Sequence, residues 1–307
     1  MNKFTVISTA VFTCASLLSS LAQARYYDDV IDSGYIKVGF YRDFPPYSYI
    51  ENGQPTGVDV EVGKRIAKGL GVTFKPHWIT PDENLDDDLR NNVWKGHYLD
   101  KNEEQPLALK NLADVMMRVP YDREYSYMQD STGAVINEMV VMFGPYQRES
   151  WQVVYDSTKL DNVSTVAVFQ YHPIGVEIDS LPAFYLTSAF GGRMRDKTHH
   201  FSNAREAFSG MQSGKVDAVM AMRAEVDWLV SQQSESKYKL GENGYPMMGK
   251  QKWDIGMAIK HTYRQLGYAI EEVVDGMVRS GEMEAIYQRY GLRYELPALY
   301  QEVAKQP

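Results

Sequence analysis

The chain has 307 residues, of which 12% are aromatic and 23% charged, and its formal net charge is −8 at pH 7. The acidic excess argues against a nucleic-acid-binding protein, which needs a basic face. Cys14 is the only cysteine, which excludes an internal disulfide and a cysteine-ligated metal site. A chain of this length often folds into two domains.

Residues 1–24 are predicted to be an export signal. Lys3 provides a basic start, Phe4–Leu21 an apolar centre, and Ala22-Gln23-Ala24 a small-x-small cleavage site. Serines and threonines interrupt the apolar run, whereas a membrane anchor needs about 20 mostly apolar residues. Cleavage after Ala24 would leave a periplasmic chain without cysteine.

The first half of the mature chain reads as an α/β unit. Tyr35–Phe40 and Val72–Ile79 are β-rich, and Gly57–Leu70 carries an apolar stripe at helical spacing between them. This order predicts two parallel strands with a crossover helix. We further predict a helix over Leu85–Tyr98, a polar loop over Asp100–Asn111 and a strand over Ala113–Val119.

The second half is predicted to cross to another unit and return. Short β-rich runs flank Gly144-Pro145-Tyr146, where the chain is expected to cross. The predicted strands are Met139–Phe143, Trp151–Tyr155, Val163–Phe169, Ala218–Met222 and Trp253–Lys260, and the predicted helices are Ala204–Met211, Ala224–Ser231, Leu266–Arg279 and Glu282–Tyr290.

Five segments carry a resemblance to a known family. They are Val38–Tyr49 with Gly57–Val60, Ala113–Met117 with Asp122–Glu124, Pro145-Tyr146, Ala207–Ala218, and Ile255–Lys260 with Gly281–Gly291. Together they resemble the bacterial extracellular solute-binding proteins of family 3, a type 2 periplasmic binding protein group. The resemblance implies a two-lobed α/β fold, in which each lobe is a mixed sheet flanked by helices and two hinge crossings join the lobes. Lobe 1 would comprise residues 25–146 and 253–307, and lobe 2 residues 147–252.

The resemblance also implies a ligand between the lobes. Arg123 falls on the family's carboxylate-binding arginine, although an ion pair with Asp122 or Glu124 is the alternative. Phe44, Tyr47 and Tyr49 fall on the family's aromatic wall, although Tyr47 and Tyr49 could equally belong to the core.

Two departures from the family pattern bear on the ligand. Tyr41 and Met222 stand where the family has its ammonium-binding aspartates, and a buried ammonium without a carboxylate is costly. Asp43 or Glu225 could substitute, but we predict a small polar or anionic ligand instead. The predicted ligand-binding residues are Tyr41, Asp43, Phe44, Tyr47, Arg118, Arg123, Tyr171, Met222 and Arg223.

The predicted function is that of a periplasmic solute-binding protein that serves an inner-membrane ABC permease, without enzymatic activity, cofactor or metal. One alternative is an accessory protein of a quinoprotein alcohol dehydrogenase, resembling the MxaJ and XoxJ proteins, with that dehydrogenase as partner. The other is a cleft enzyme such as a dehydratase, for which His172 is the best lone candidate.

Overall fold

A computed structural model describes residues 25–97, 111–234, 237–242 and 244–303. The predicted export signal and most of the predicted loop over 100–111 lie outside these ranges. Within them, no helix has both the length and the apolar character needed to cross a membrane.

Strands and helices alternate along the described chain. The strands are β1 (Tyr35–Tyr41), β2 (Tyr49–Glu51), β3 (Gln54–Thr56), β4 (Thr73–Ile79), β5 (Val115–Pro120), β6 (Val140–Asp156), β7 (Ile174–Glu177), β8 (Thr198–Phe201), β9 (Ala218–Met222), β10 (Tyr238–Leu240) and β11 (Lys252–Lys260). The helices are α1 (Tyr27–Ser33), α2 (Val58–Gly69), α3 (Leu85–Leu89), α4 (Arg123–Ser126), α5 (Leu181–Gly192), α6 (Ala204–Gln212), α7 (Arg223–Ser231), α8 (Arg264–Ser280), α9 (Glu282–Arg289) and α10 (Ala298–Val303).

The sheet of lobe 1 has the strand order β4-β1-β5-β11-β6. β1 pairs in parallel with β4 and β5, whereas β11 is antiparallel to both β5 and β6. The carboxyl ends of β1, β4 and β5 therefore lie at one edge, where open α/β sheets commonly bind ligands.

The sheet of lobe 2 is built on the second half of β6. β9 and β10 each pair antiparallel with that half, and β7 pairs in parallel with β9 and β8. The two-lobed α/β fold with mixed sheets, predicted from the sequence, is confirmed.

Three local predictions are wrong in detail. The two strands expected around the first crossing form one continuous strand, β6, because β11 pairs with its residues 140–150 and β9 with residues 151–155. Val163–Phe169 is not a strand: residues 166–170 form a 3-10 helix that buries Val166 and Phe169, whose three-residue spacing suits a helical turn. The helix expected over Leu85–Tyr98 ends at Leu89 and continues as a π-helical turn to Trp94.

Each lobe has its own core. In lobe 1, α2 and α8 cover the sheet with fully buried side chains such as Ile66 and Leu266. Burial of one such side chain contributes about 1.5–3 kcal/mol. Ala224 at the start of α7 belongs to the same cluster, so the core of lobe 1 extends into a helix of lobe 2.

Candidate functional site: a cavity between the lobes

A cavity of about 550 Å³ lies between the two lobes. Lobe 1 contributes the turn that follows β1 and the segment that follows β4, and lobe 2 contributes the end of β7 and the starts of α6 and α7. The lining residues are Tyr41, Arg42, Asp43, Phe44, Pro45, Ile79, Thr80, Pro81, Glu177, Ser202, Asn203, Ala204, Arg205 and Glu225.

Hydrogen bonds fix the turn after β1. The Phe44 amide donates to the Ser48 carbonyl over 2.8 Å, and the Ser48 hydroxyl donates to the Tyr41 carbonyl over 2.7 Å. Gly57 packs against the backbone of this turn and has a φ of +121°. A Cβ at this position would lie 2.2 Å from the Tyr47 carbonyl oxygen. Only glycine suits this close approach and this backbone conformation.

Two aromatic side chains form the wall of the cavity in lobe 1. The Tyr41 and Phe44 rings lie 6.1 Å apart at 84°, an edge-to-face arrangement. The Tyr41 hydroxyl donates to Asp88 over 2.7 Å, and burial together with the Asp88 charge raises the Tyr41 pKa far above its usual range. Tyr47 is fully buried and packs behind Phe44, with ring centroids 4.9 Å apart.

Lobe 2 presents two carboxyl groups to the cavity, those of Glu177 and Glu225. Burial raises the pKa of Glu177, and it raises the pKa of Glu225 to about 8 together with the charges of Glu177 and Glu149. The Glu225 carboxylate accepts a hydrogen bond from the Met222 amide over 3.3 Å. Among the described residues, neither Glu177 nor Glu225 forms an ion pair. The cavity therefore offers two carboxyl groups that form no ion pair within the described chain; the nearby Arg118 charge favours the ionised form of Glu225 but does not outweigh its burial.

Opposite charges meet across the mouth of the cavity. Arg205 of α6 donates to Asp43 of lobe 1 over 2.8 Å. The Asp43 side chain is 72% exposed, so solvent screens this ion pair strongly. The pair joins the two lobes where they line the cavity.

Arg118 does not line the cavity and is instead part of a buried network beneath it. Its guanidinium donates to Asp59 over 2.6 and 2.9 Å and to Gln147 over 2.8 Å, and it stacks 3.4 Å from the Tyr47 ring centroid. Tyr47 in turn donates to Glu149 over 3.0 Å. This network joins α2, β5 and the crossing strand β6.

Arg223 is likewise buried at the junction of the lobes. It donates to the Arg148 carbonyl over 2.6 Å and to Glu295 over 3.2 Å. Its Nε lies 3.7 Å from Glu149. These contacts hold the Arg223 guanidinium against the crossing strand β6 and the C-terminal segment, away from the cavity.

Three other residues predicted to bind the ligand lie outside the cavity lining. The Met222 side chain packs against the core of lobe 1, and Tyr171 is 76% exposed. Arg123 lines a different cavity, described below. Of the nine predicted residues, the structure brings Tyr41, Asp43 and Phe44 together in the cavity lining.

Sequence reasoning left the two glutamates of lobe 2 out of the predicted ligand-binding residues and named Glu225 only as a possible substitute for a family aspartate. Glu225 is the third residue of α7, and its carboxyl group turns back to the Met222 amide as in a capping box. That motif was the available signal for Glu225. Glu177 ends β7, a strand that the sequence prediction placed elsewhere.

The site has no arrangement suited to a metal ion. Within the described ranges, no group of three or more His, Cys, Asp or Glu residues could hold one. His172, the candidate for catalysis, lies 3.0 Å from Asp217 and outside the cavity lining.

Two lobes of mixed α/β structure around a lined cavity form the fold that type 2 periplasmic binding proteins share. Residues 36–93 match the family model of the bacterial extracellular solute-binding proteins, family 3. The resemblance to this family, predicted from the sequence, is confirmed. A comparison with curated proteins found no match.

Solved structures share the fold. An ancestral cationic amino acid solute-binding protein is 18% identical with a TM-score of 0.64, and covers 86% of this chain and 99% of its own. The L-arginine-bound amino acid ABC transporter substrate-binding protein AbpA from Streptococcus pneumoniae is 17% identical with a TM-score of 0.58, and the match covers 86% of this chain and 97% of AbpA. A mutant of ArgBP from T. maritima is 21% identical with a TM-score of 0.56, and the match covers 87% of this chain and 99% of ArgBP.

Proposed function

We propose that the protein is a periplasmic solute-binding protein that captures a small organic cation in the interlobe cavity and delivers it to an inner-membrane ABC permease. The observation that carries the proposal is the pair of carboxyl groups of Glu177 and Glu225, which line the cavity and form no ion pair among the described residues. An ammonium or guanidinium group would neutralise them, because an opposite charge favours the ionised form of a carboxyl group.

The proposal departs from the neutral or anionic ligand predicted from the sequence. That prediction depends on the replacement of two family aspartates by Tyr41 and Met222. Glu225 compensates for Met222 because it reaches the cavity from the first turn of α7. An anion placed beside Glu177 and Glu225 would be repelled as soon as either group ionised.

The aromatic wall supports the same ligand class. Tyr41 and Phe44 line the cavity, and a cation within about 6 Å of an aromatic ring face is attracted by about 0.5–2 kcal/mol. Two of the similar structures are named as a cationic amino acid solute-binding protein and as a complex with L-arginine, and these names also favour a cationic ligand.

The two alternatives from the sequence have less support. No relative reported above points to a quinoprotein dehydrogenase as partner. For a dehydratase, a protonated Glu225 would suit a general acid. His172, the catalytic candidate predicted from the sequence, lies outside the cavity lining and could not act together with Glu225 there.

A thermal-shift screen tests the proposal. The panel pairs cations with near-isosteric neutral analogues, for example L-arginine and agmatine against L-citrulline, and includes glutarate as an anion. At 100 times its Kd, a ligand should stabilise the folded protein by about 2.7 kcal/mol. We expect a cation to raise the melting temperature of the wild type and of Glu206→Gln, an exposed glutamate on the same lobe, but not of Glu177→Gln/Glu225→Gln. No shift with any cation, or equal shifts in the double variant, would contradict the proposal.

A further inference from the structure

A second concave surface lies on lobe 1, away from the interlobe cavity. It has a volume of about 660 Å³ and runs between α4, with the segment 126–138 that follows it, and the first turn of α8. We call it the α4–α8 groove; its principal lining residues are Tyr121, Arg123, Tyr127, Glu138, His261 and Arg264.

Two arginines in this groove lack partners. Arg123 and Arg264 are both exposed, and in the described chain neither side chain forms an ion pair or a hydrogen bond. Planar guanidinium groups bind carboxylate and phosphate oxygens in pairs, so two of them in one concave surface suit an anion with several acidic oxygens.

Neighbouring groups add to the positive character. Arg264 opens α8, a 17-residue helix with no acidic residue in its first turn and no side-chain cap. The start of a helix carries a partial positive charge. His261 is oriented by a 3.1 Å contact between its Nδ1 and the Met139 carbonyl, which leaves Nε2 as its other polar atom.

The acidic groups around the groove form no ion pair with Arg123 or Arg264 within the described chain. Asp122 lies at the edge of the groove but pairs with Lys250 of lobe 2. Glu138 lines the groove and is exposed without an ion pair in the described residues. Glu271 and Asp254 face Tyr121, whose pKa is raised by burial and by their charges.

Tyrosines supply the remaining surface. Tyr121 is 39% exposed and Tyr127 is 66% exposed, although tyrosines are often half buried. Tyrosine contributes a ring face and a hydroxyl group to recognition. This composition suits a small organic molecule better than a bare inorganic ion.

We propose that the α4–α8 groove binds a small organic polyanion, such as a polycarboxylate or a phosphate ester, at a site separate from the interlobe cavity. Arg123 and Arg264 bind its acidic oxygens, and Tyr121 and Tyr127 contact its carbon skeleton. All lining residues belong to lobe 1, so binding requires no contribution from lobe 2.

Calorimetric titration with citrate and with inorganic phosphate, at constant ionic strength set by chloride, tests the proposal. We expect at least one of the two anions to bind the wild type, with Arg123→Gln and Arg264→Gln each weakening it at least tenfold and the double variant abolishing it. Binding of citrate but not of phosphate would indicate a polycarboxylate ligand, and binding of phosphate but not of citrate would indicate a phosphate ester. Arg193→Gln, an exposed arginine of lobe 2 without a described ion pair, is the matched control and should bind like the wild type.

The outcomes separate this site from the interlobe cavity. Glu177→Gln/Glu225→Gln should keep full anion binding. The proposal is overturned if neither anion binds the wild type, if the double arginine variant binds as tightly as the wild type, or if Arg193→Gln loses binding equally. Because both groove arginines are exposed, the variants should fold normally, which circular dichroism checks.

Discussion

Arg293, in the segment that follows α9 of lobe 1, forms a two-pronged ion pair with Asp227 on α7 of lobe 2. Its Nη2 and Nε lie 2.6 and 2.9 Å from Asp227 Oδ1, and its backbone amide donates to Oδ2 over 3.1 Å. Two residues later Glu295 meets Arg223 of the same helix at 3.2 Å. The C-terminal segment therefore links the lobes in addition to the crossing strand β6.

The first prediction concerns this tie. Arg293→Gln should lower the free energy of unfolding by about 1–2 kcal/mol, because the largely buried Asp227 loses its cation while Arg293 itself is half exposed. Chemical denaturation measures the loss. Arg279→Gln, which breaks an exposed pair within α8, should leave stability nearly unchanged. Equal effects of the two substitutions would contradict a special role for the C-terminal tie.

The second prediction concerns Gly57. Gly57→Ala places a Cβ 2.2 Å from the Tyr47 carbonyl oxygen at a φ of +121°, so the turn that carries Phe44 must move. We expect a loss of stability of about 3 kcal/mol or more, from backbone strain and overpacking. Gly53→Ala, at a φ of +76° with open space around the new Cβ, should cost only about 1 kcal/mol. Thermal denaturation of both variants measures the difference, and similar losses would refute the steric explanation.

The third prediction concerns the buried pair of Arg118 and Asp59. Arg118→Met should destabilise the protein by about 3–5 kcal/mol, because it leaves the Asp59 carboxylate buried with, among the described residues, only the Tyr146 hydroxyl donating to its side chain at 3.0 Å. Adding Asp59→Asn should recover part of that loss, which a double-mutant cycle measures. Arg65→Gln is the matched control, since its pair with Glu282 is about one third exposed and should be worth less than about 1 kcal/mol. Additive effects of the two core substitutions would contradict the coupling.

The fourth prediction concerns pH and the unliganded protein. The pKa of Glu225 is about 8 in the folded protein and ordinarily 4.5. Between pH 4.5 and pH 8 the folded protein therefore keeps a proton on Glu225 that the unfolded chain has lost. The contribution of Glu225 to the free energy of unfolding consequently falls as the pH rises toward 8. Relative to Glu225→Gln, the wild type should lose up to about 1.4 kcal/mol per pH unit in that window. Denaturation of both proteins at pH 5, 6.5 and 8 measures the difference, and a difference independent of pH would be inconsistent with a protonated Glu225.

The sequence predicted most of the fold because its strong patterns are local. The stripe of Val58, Val62 and Ile66 identifies α2, and the buried run of β9 is equally clear. The continuity of β6 could not be predicted, since it depends on two partner strands that pair with its successive halves.

The candidate site was predicted only in part, because its lobe 2 side depends on tertiary geometry. Tyr41 and Phe44 were predicted from the positions that they hold in the family pattern. Arg118 was taken for a ligand contact, yet it is buried against Asp59, a partner 59 residues away that no local pattern identifies. Glu177 requires the correct placement of β7, which the sequence prediction did not achieve.

Proton release on ligand binding tests the central claim most directly. A cation bound at Glu225 should lower the pKa of that carboxyl group from about 8, so that binding at pH 7 expels nearly one proton per ligand. Calorimetry of the best cation from the screen, in two buffers of different ionisation enthalpy, counts these protons. We predict nearly one proton for the wild type and for Glu206→Gln, and none for any residual binding by Glu225→Gln. Binding of a cation to the wild type without proton release would contradict the account.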